Sequence, residues 1–308
     1  MIIYKTNKHW FKDIGHLAKS WTMIKVMRAV LMIGAFTTVV VLVHTFVHEL
    51  NLRDVGGVFS LLGIVLSILL VFRTNSAYDR WWEGRKQWGA LVNNCRNLAL
   101  YCYVHLPSDD RPTKMRLARD IGNFCLAFVE HLREGTKIED LKGLNDDEIA
   151  RYQSVQHIPN EISKEIYATI HESYKDGRIT GEDLLNIHQM HKALLDILGA
   201  CERIKKTPIP FSYNVYLKVF ITAYGLLLPF ALLSTLGFWT IPAVMFVFFA
   251  FIGVEMMGEE IEDPFGLDCN DLPTGTIANT IRENVFNLME VPHEHWEKHP
   301  EVLYEKVF

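Results

Sequence analysis

Charged side chains are missing from three long stretches of this chain: Ala29–His48, Val55–Phe72 and Val219–Val254. About 20 consecutive apolar residues cover the hydrocarbon core of a bilayer as a helix, so the first two stretches each read as one span. The third is far longer than one span needs. Its Ser234-Thr235-Leu236-Gly237 segment reads as a tight turn that joins two helices outside the bilayer. The pattern predicts four transmembrane helices. A soluble pair of core helices would need a solvated face, and Val219–Val254 has none.

Between the second and third stretches the apolar positions recur at helical spacing. Trp81, Trp88, Leu91, Cys95, Leu98 and Cys102 mark a helix that continues out of the second span and stops before Pro107. Leu117, Ile121, Phe124, Phe128 and Leu132 mark the next, opened by Ser108-Asp109-Asp110 and closed near Gly135. Ile162, Ile166, Ile170 and Tyr174 mark a third. Thr180 with Asp183 forms a capping box for the run Leu184, His188, His191, Leu195, Leu198, Cys201. No strand pattern of useful length, repeat or low-complexity segment occurs, so the fold class is all-α. The membrane and helical portions are expected to form one cooperative unit, since only Lys205–Pro210 separates the last of these helices from the third span.

Composition adds little: the hydrophobic share is 49%. Charge placement adds more. Lys5, Lys8, Lys12, Lys19, Lys25 and Arg28 precede the first span against a single Asp13; Arg73, Arg80, Arg85 and Lys86 follow the second; Arg203, Lys205 and Lys206 precede the third. The connections on the other side carry almost no positive charge. The positive-inside rule therefore puts both termini in the cytoplasm, and the first 28 residues lack the small-residue cleavage pattern of a secretory signal. The expected organisation is a cytoplasmic segment 1–28, spans one and two with a pore neck in 29–72, a cytoplasmic helical region 73–210, spans three and four in 211–256, and a cytoplasmic acidic loop and tail in 257–308. Cys95, Cys102, Cys125, Cys201 and Cys269 have no metal-like spacing and suit a reducing compartment.

In the second span Ser60, Gly63, Ser67 and Thr74 form a small, weakly polar stripe that permits close helix approach. Beside it Ile64, Ile68 and Phe72 repeat every four residues. Periodicity alone leaves two readings open. The three face lipid or a neighbouring helix, or several copies surround an axis and the three rings form a dry constriction.

The run Phe72-Arg73-Thr74-Asn75-Ser76-Ala77-Tyr78-Asp79-Arg80-Trp81-Trp82-Glu83-Gly84-Arg85 resembles the signature of the bestrophin family of ion channels. The preceding Ile-x3-Ile-x3-Phe spacing is similar to that family's pore neck. Asp263-Pro264-Phe265-Gly266 resembles its Asn-Pro-Phe-Gly segment, and Gly177-Arg178-Ile179 is similar to a third family block. The resemblance runs along the whole chain. It implies a homopentamer around one central pore, with Ile64, Ile68 and Phe72 lining the neck and Ile179 at a second, cytoplasmic constriction. Two departures stand out. Ile68 occupies the middle neck position, where animal members usually carry Phe, and the long tail of animal members is missing, which points to a prokaryotic homologue in the bacterial inner membrane.

Animal members bind calcium in an acidic cluster around the Asn-Pro-Phe-Gly block, and the matching positions here are Glu260, Asp263, Asp268 and Asp271. Calcium takes six to eight oxygens, and the acids at Glu255, Glu259, Glu260, Glu262, Asp263, Asp268 and Asp271 crowd together with no Lys or Arg. Yet Asp263 replaces the family's Asn, Glu260 replaces a Gln, and Cys269-Asn270 interrupts the Asp run. A solvated acidic loop stands beside a calcium clasp. In the tail, His293, His295 and His299 have a spacing that clips zinc adventitiously; no cofactor is expected to be required.

The leading function is a channel for monovalent ions. A secondary transporter would place ionisable groups near mid-membrane, whereas His44 and His48 lie near the outer end of the first span. A membrane-bound metal-binding protein would rest on the histidine tail. No phosphate-cradling Gly loop, nucleophile motif or acid–base constellation supports an enzyme, and nothing points to nucleic acid. The ion's sign is divided: the family suggests anions, while a formal charge of −5 per chain, hence −25 for five copies, concentrates cations.

Overall fold

The apolar stretches become helices whose own backbone satisfies their polar groups, as a lipid-exposed chain requires. The computed structural model describes residues 20–47, 56–268 and 270–292. Helix α1 (Trp21–Phe46) opens with Ser20, whose hydroxyl accepts from the Met23 N–H. Helix α2 (Gly56–His105) runs for 50 residues, and no proline interrupts it. Then follow α3 (Arg111–His131), α4 (Asp146–Ser154), α5 (Ile158–Lys175), α6 (Gly181–Lys206), α7 (Phe211–Leu236), α8 (Thr240–Glu262) and α9 (Thr274–Leu288). Among the described residues there is no strand, in line with the all-α expectation.

Three helical stretches are long and apolar enough to cross a membrane: Thr22–Phe46, Gly56–His105 and Phe211–Glu262. The last is folded where the sequence predicts a turn. Gly237 takes φ 52°, a left-handed value open to glycine at little cost, and a short 3-10 turn Gly237–Trp239 reverses the chain. The close approach of Gly225 to the Phe248 ring shows α7 and α8 lying antiparallel. Helix α1 packs on α8 and α7, and the first half of α2 packs on both α7 and α8. Their shared core holds Val26, Val30, Leu66, Leu70, Ile221 and Val244. Hydroxyls within this apolar layer bond back to carbonyls four residues earlier: Thr37 to Ile33, Ser67 to Gly63 and Thr74 to Leu70.

The second half of α2 enters a different core, here termed the basal layer. Trp88, Leu91, Cys95, Leu98 and Cys102 are fully buried against Phe124 and Phe128 of α3, Ile162 and Ile166 of α5, and Leu194 and Cys201 of α6. The capping box at Thr180 and Asp183 is present, with each side chain accepting from the other's backbone N–H. Three details go beyond the sequence reading. Tyr174 faces outward, because the buried stripe of α5 continues through Thr169 and Ser173. On α6 the buried stripe is Ile187, His191, Leu194, Leu198, Cys201 and Ile204, so His188 and Leu195 lie on the exposed flank. The segment expected to be only loop and tail contains α9, whose Ala278, Ile281, Val285 and Phe286 are buried, with the helix packed on α3 and α2.

Candidate functional site: an apolar ladder on helix α2

Two faces of α2 have opposite fates. Leu66, Leu70, Arg73, Ala77, Gly84 and Trp88 form one buried line along the whole helix. On the other side Ile64 is 57%, Ile68 51% and Phe72 62% exposed. They stand one turn apart, each about 6 Å further along the axis. Beyond Phe72 the same side turns polar, with Asn75 and Asp79 exposed one and two turns further on. Leu61, Val65 and Val71 add exposed apolar area beside the ladder. A single chain thus leaves a long greasy strip uncovered on its longest helix, and such strips mark contact with lipid or protein.

The neighbouring small stripe has the close contact its composition predicts. A Cβ on Gly63 would lie 2.9 Å from the Tyr224 hydroxyl, so only glycine lets α7 approach there. Tyr224 in turn donates to the Phe59 carbonyl at 3.3 Å and packs its ring 5.9 Å from that of Phe59.

Directly past the ladder, the two most distinctive sequence blocks meet. Arg73 is fully buried and gives its Nη2 to Glu262 Oε2 at 2.7 Å, while Glu262 Oε1 accepts from the Ile209 N–H at 2.7 Å. Arg80 donates to three backbone carbonyls at helix ends: Glu262 at 3.0 Å, Ile204 at 2.6 Å, and Thr207. Trp81 Nε1 donates to the Asn270 carbonyl at 3.0 Å. Gly84 is buried where a Cβ would lie 3.1 Å from the Phe265 ring. The Arg73–Arg85 run and the Asp263–Gly266 run are therefore two sides of one joint between the apolar and basal layers.

The acids of that joint do not converge as a metal cage. Glu260 accepts from the Thr22 hydroxyl at 2.7 Å and from Asn270 Nδ2 at 3.0 Å. Asp263 pairs with Lys205 Nζ at 2.5 Å. Asp268 and Asp271 close their own loop: the Asp268 N–H donates to Asp271 Oδ2 at 2.7 Å, and the Asp271 N–H to the Asp268 carbonyl at 3.0 Å. Asp271 is 1% exposed, and burial pushes its carboxyl up to about 7. The loop is thus mixed: Glu260, Asp263 and Asp271 hold protein donors, while Asp268 lies at the surface. Among the described residues, the only three metal-capable side chains that converge within 4.8 Å lie elsewhere, at His131, His157 and Glu202.

Ile179 is 6% exposed and belongs to the basal core with Ile170 and Ile187. Within the single chain it is covered by that core. It lies two residues after Gly177, which takes φ 70°. His293, His295 and His299 lie outside the described residues.

Comparison with known proteins sharpens these observations. A family model for "Bacterial/Fungal Bestrophin protein" matches residues 1–287. A "Voltage-dependent anion channel-forming protein" of Nostoc sp. is 36% identical over 287 residues, covering 91% of this chain and 92% of that one. A protein of the same description from Escherichia coli K12 is 27% identical, covering 93% and 94%. A crystal structure of a bacterial bestrophin homologue from Klebsiella pneumoniae superposes with a TM-score of 0.82 at 26% identity, over 87% of this chain and all of that one. The ladder, the joint between the two blocks and the match along nearly the whole chain agree: this chain belongs to the bestrophin family.

Proposed function

We propose that this protein is one subunit of a homopentameric channel for monovalent ions in the bacterial inner membrane. Helices α1, α7, α8 and the first half of α2 each cross the bilayer once, with both termini in the cytoplasm. Five copies of α2 surround the pore, and Ile64, Ile68 and Phe72 supply three apolar rings. The observation that carries this reading is the exposed ladder itself, opposite a fully buried face and followed at once by polar positions. One copy cannot enclose a pore, and an exposed apolar line of this length needs covering by further copies. The relatives' description as anion channel-forming proteins supports ion conduction. An apolar ring has no sign of its own, so charges beyond it set selectivity; Asp79, on the ladder side of α2, is the first acid an ion meets after Phe72. Calcium is not required for opening, because Glu260, Asp263 and Asp271 are engaged with protein donors.

The test is a reversal potential under a salt gradient in planar bilayers, with the assembly mass determined in mild detergent. A pentamer that conducts, and whose reversal potential moves toward the anion limit in Asp79→Asn, is the expected result. A stable monomer or dimer, or a non-conducting pentamer, sinks the reading.

A further inference from the structure

Three side chains far apart in sequence meet in the basal layer, away from the ladder. His131 sits in the last turn of α3, His157 is the N-cap residue of α5, and Glu202 lies near the end of α6. The Nε2 atoms of both histidines are 2.7 Å from the same atom, Glu202 Oε1. Their ring centroids are 4.3 Å apart, and all three side chains are half-buried. Two imidazoles aimed at one carboxylate oxygen is the donor set that borderline divalent transition ions take, with water completing the coordination.

We infer that His131, His157 and Glu202 form a binding site for a divalent first-row transition ion such as Zn2+. The ion replaces the two protons that now point at Glu202 Oε1. Two of the donors are in the state a ligand needs. Burial, together with the neighbouring His157, holds His131 below its usual range, so the ring is neutral at pH 7. Burial raises Glu202, but hydrogen bonds from His157 and His131 outweigh it and hold the carboxyl ionised. Two features temper affinity. Lys206 Nζ lies 3.9 Å from Glu202 Oε2, on an exposed side chain free to swing away as a cation enters. His157 Nδ1 accepts from the Asn160 N–H at 3.2 Å, and a metal on Nε2 moves the ring's proton to Nδ1 and releases that cap. Two nitrogen donors and a single carboxylate disfavour Mg2+ and Ca2+, which want oxygen. The three ligands come from three different helices, so a bound ion ties α3, α5 and α6 together just before the Ile204 carbonyl that Arg80 holds.

The experiment uses full-length detergent-purified protein carrying His293→Ala, His295→Ala and His299→Ala, so that tail histidines do not contribute. After metal stripping, Zn2+ is titrated in competition with a chromophoric chelator, and melting is followed with and without Zn2+. One Zn2+ per chain and a rise of several degrees in Tm are expected, with no response to Mg2+. Glu202→Gln and His157→Asn should each weaken Zn2+ binding at least tenfold while leaving metal-free Tm and assembly mass unchanged; asparagine retains the N-cap of α5. Unaltered Zn2+ stoichiometry and affinity in both variants, or no Zn2+ bound to the starting protein, overturns the inference. Neither outcome bears on conduction, so the site stands or falls apart from the channel reading.

Discussion

Helix α2 passes through two environments, and the same residue types behave differently in each. In its most apolar 18-residue window only 17% of the positions are buried within the chain. In the basal half, Trp88, Leu91, Cys95, Leu98 and Cys102 are all at most 1% exposed. Large apolar side chains outside are tolerable only where lipid or another subunit covers them, whereas those inside stabilise the chain by themselves at about 25 cal/mol per Å². The basal layer is thus a finished core, and the apolar layer is a part of something larger. Loss of a side chain should therefore read out as instability in one region and as altered conduction in the other.

The largest effect belongs to the finished core. Phe128 is fully buried, its ring stacked 5.1 Å from that of Trp88 and tilted against that of Phe124 at 6.0 Å between centroids. Phe128→Ala should cost on the order of 3–5 kcal/mol, seen as a lower melting temperature and a reduced yield of assembled protein. If that variant melts with wild type, the basal core is not what holds the chain together.

Next come the ladder variants. Ile68→Ala and Phe72→Ala remove side chains that the single chain leaves exposed, so metal-free melting should change little. An ion crossing an apolar ring loses water without replacement, which is very costly, so opening the ring should raise conductance or open probability several-fold. Leu69 is unsuited as a lipid-facing control, because it packs on the apolar core and its carbonyl accepts from the Tyr213 hydroxyl at 2.9 Å. Met32, exposed on α1, serves instead, and Met32→Ala should leave currents near wild type. Single-channel recordings at matched pentamer yield separate the two layers: unchanged currents in Ile68→Ala would return the ladder to a packing role.

The smallest effect sits at the joint. Asp271 holds its proton to about 7 against an ordinary 3.8. The folded state binds that proton more tightly than the unfolded one, so the stabilisation is full below pH 3.8 and is lost as pH rises through 7. Asp271→Asn keeps an oxygen for the Asp268 N–H and removes the charge. It should flatten the decline in melting temperature between pH 5 and pH 8, by a few degrees at most. A variant whose pH profile parallels wild type would show that Asp271 is not the group titrating.

Much of this architecture was legible in the sequence. The uncharged runs gave the apolar helices, Gly237 gave the reversal, and Thr180 with Asp183 gave the start of α6. The ladder could be seen as a repeat of four, although periodicity could not say what it faced; that needed the opposite face to be seen buried. What escaped was tertiary. Helix α9 has a moderate apolar stripe that reads as a tail until α3 is present to cover it. The burial of Ile179 is set by the packing of the basal core, which no local pattern announces. His131, His157 and Glu202 share no spacing, since three helices must pack before they meet.

The length of α2 carries one mechanical consequence. Fifty helical residues make a rod of about 75 Å. Its lower half is gripped by the basal core, and Arg80 fastens its middle to the ends of α6 and α8. A rod clamped over half its length does not tilt at one end alone. In the proposed pentamer, splaying five such rods to widen the pore would drag the joint and the basal core with them. Small, local movements are cheaper: rotamer changes of Ile64, Ile68 and Phe72, or the filling and emptying of the space between their rings with water. On the proposed assembly, opening is then a wetting transition inside a nearly rigid frame.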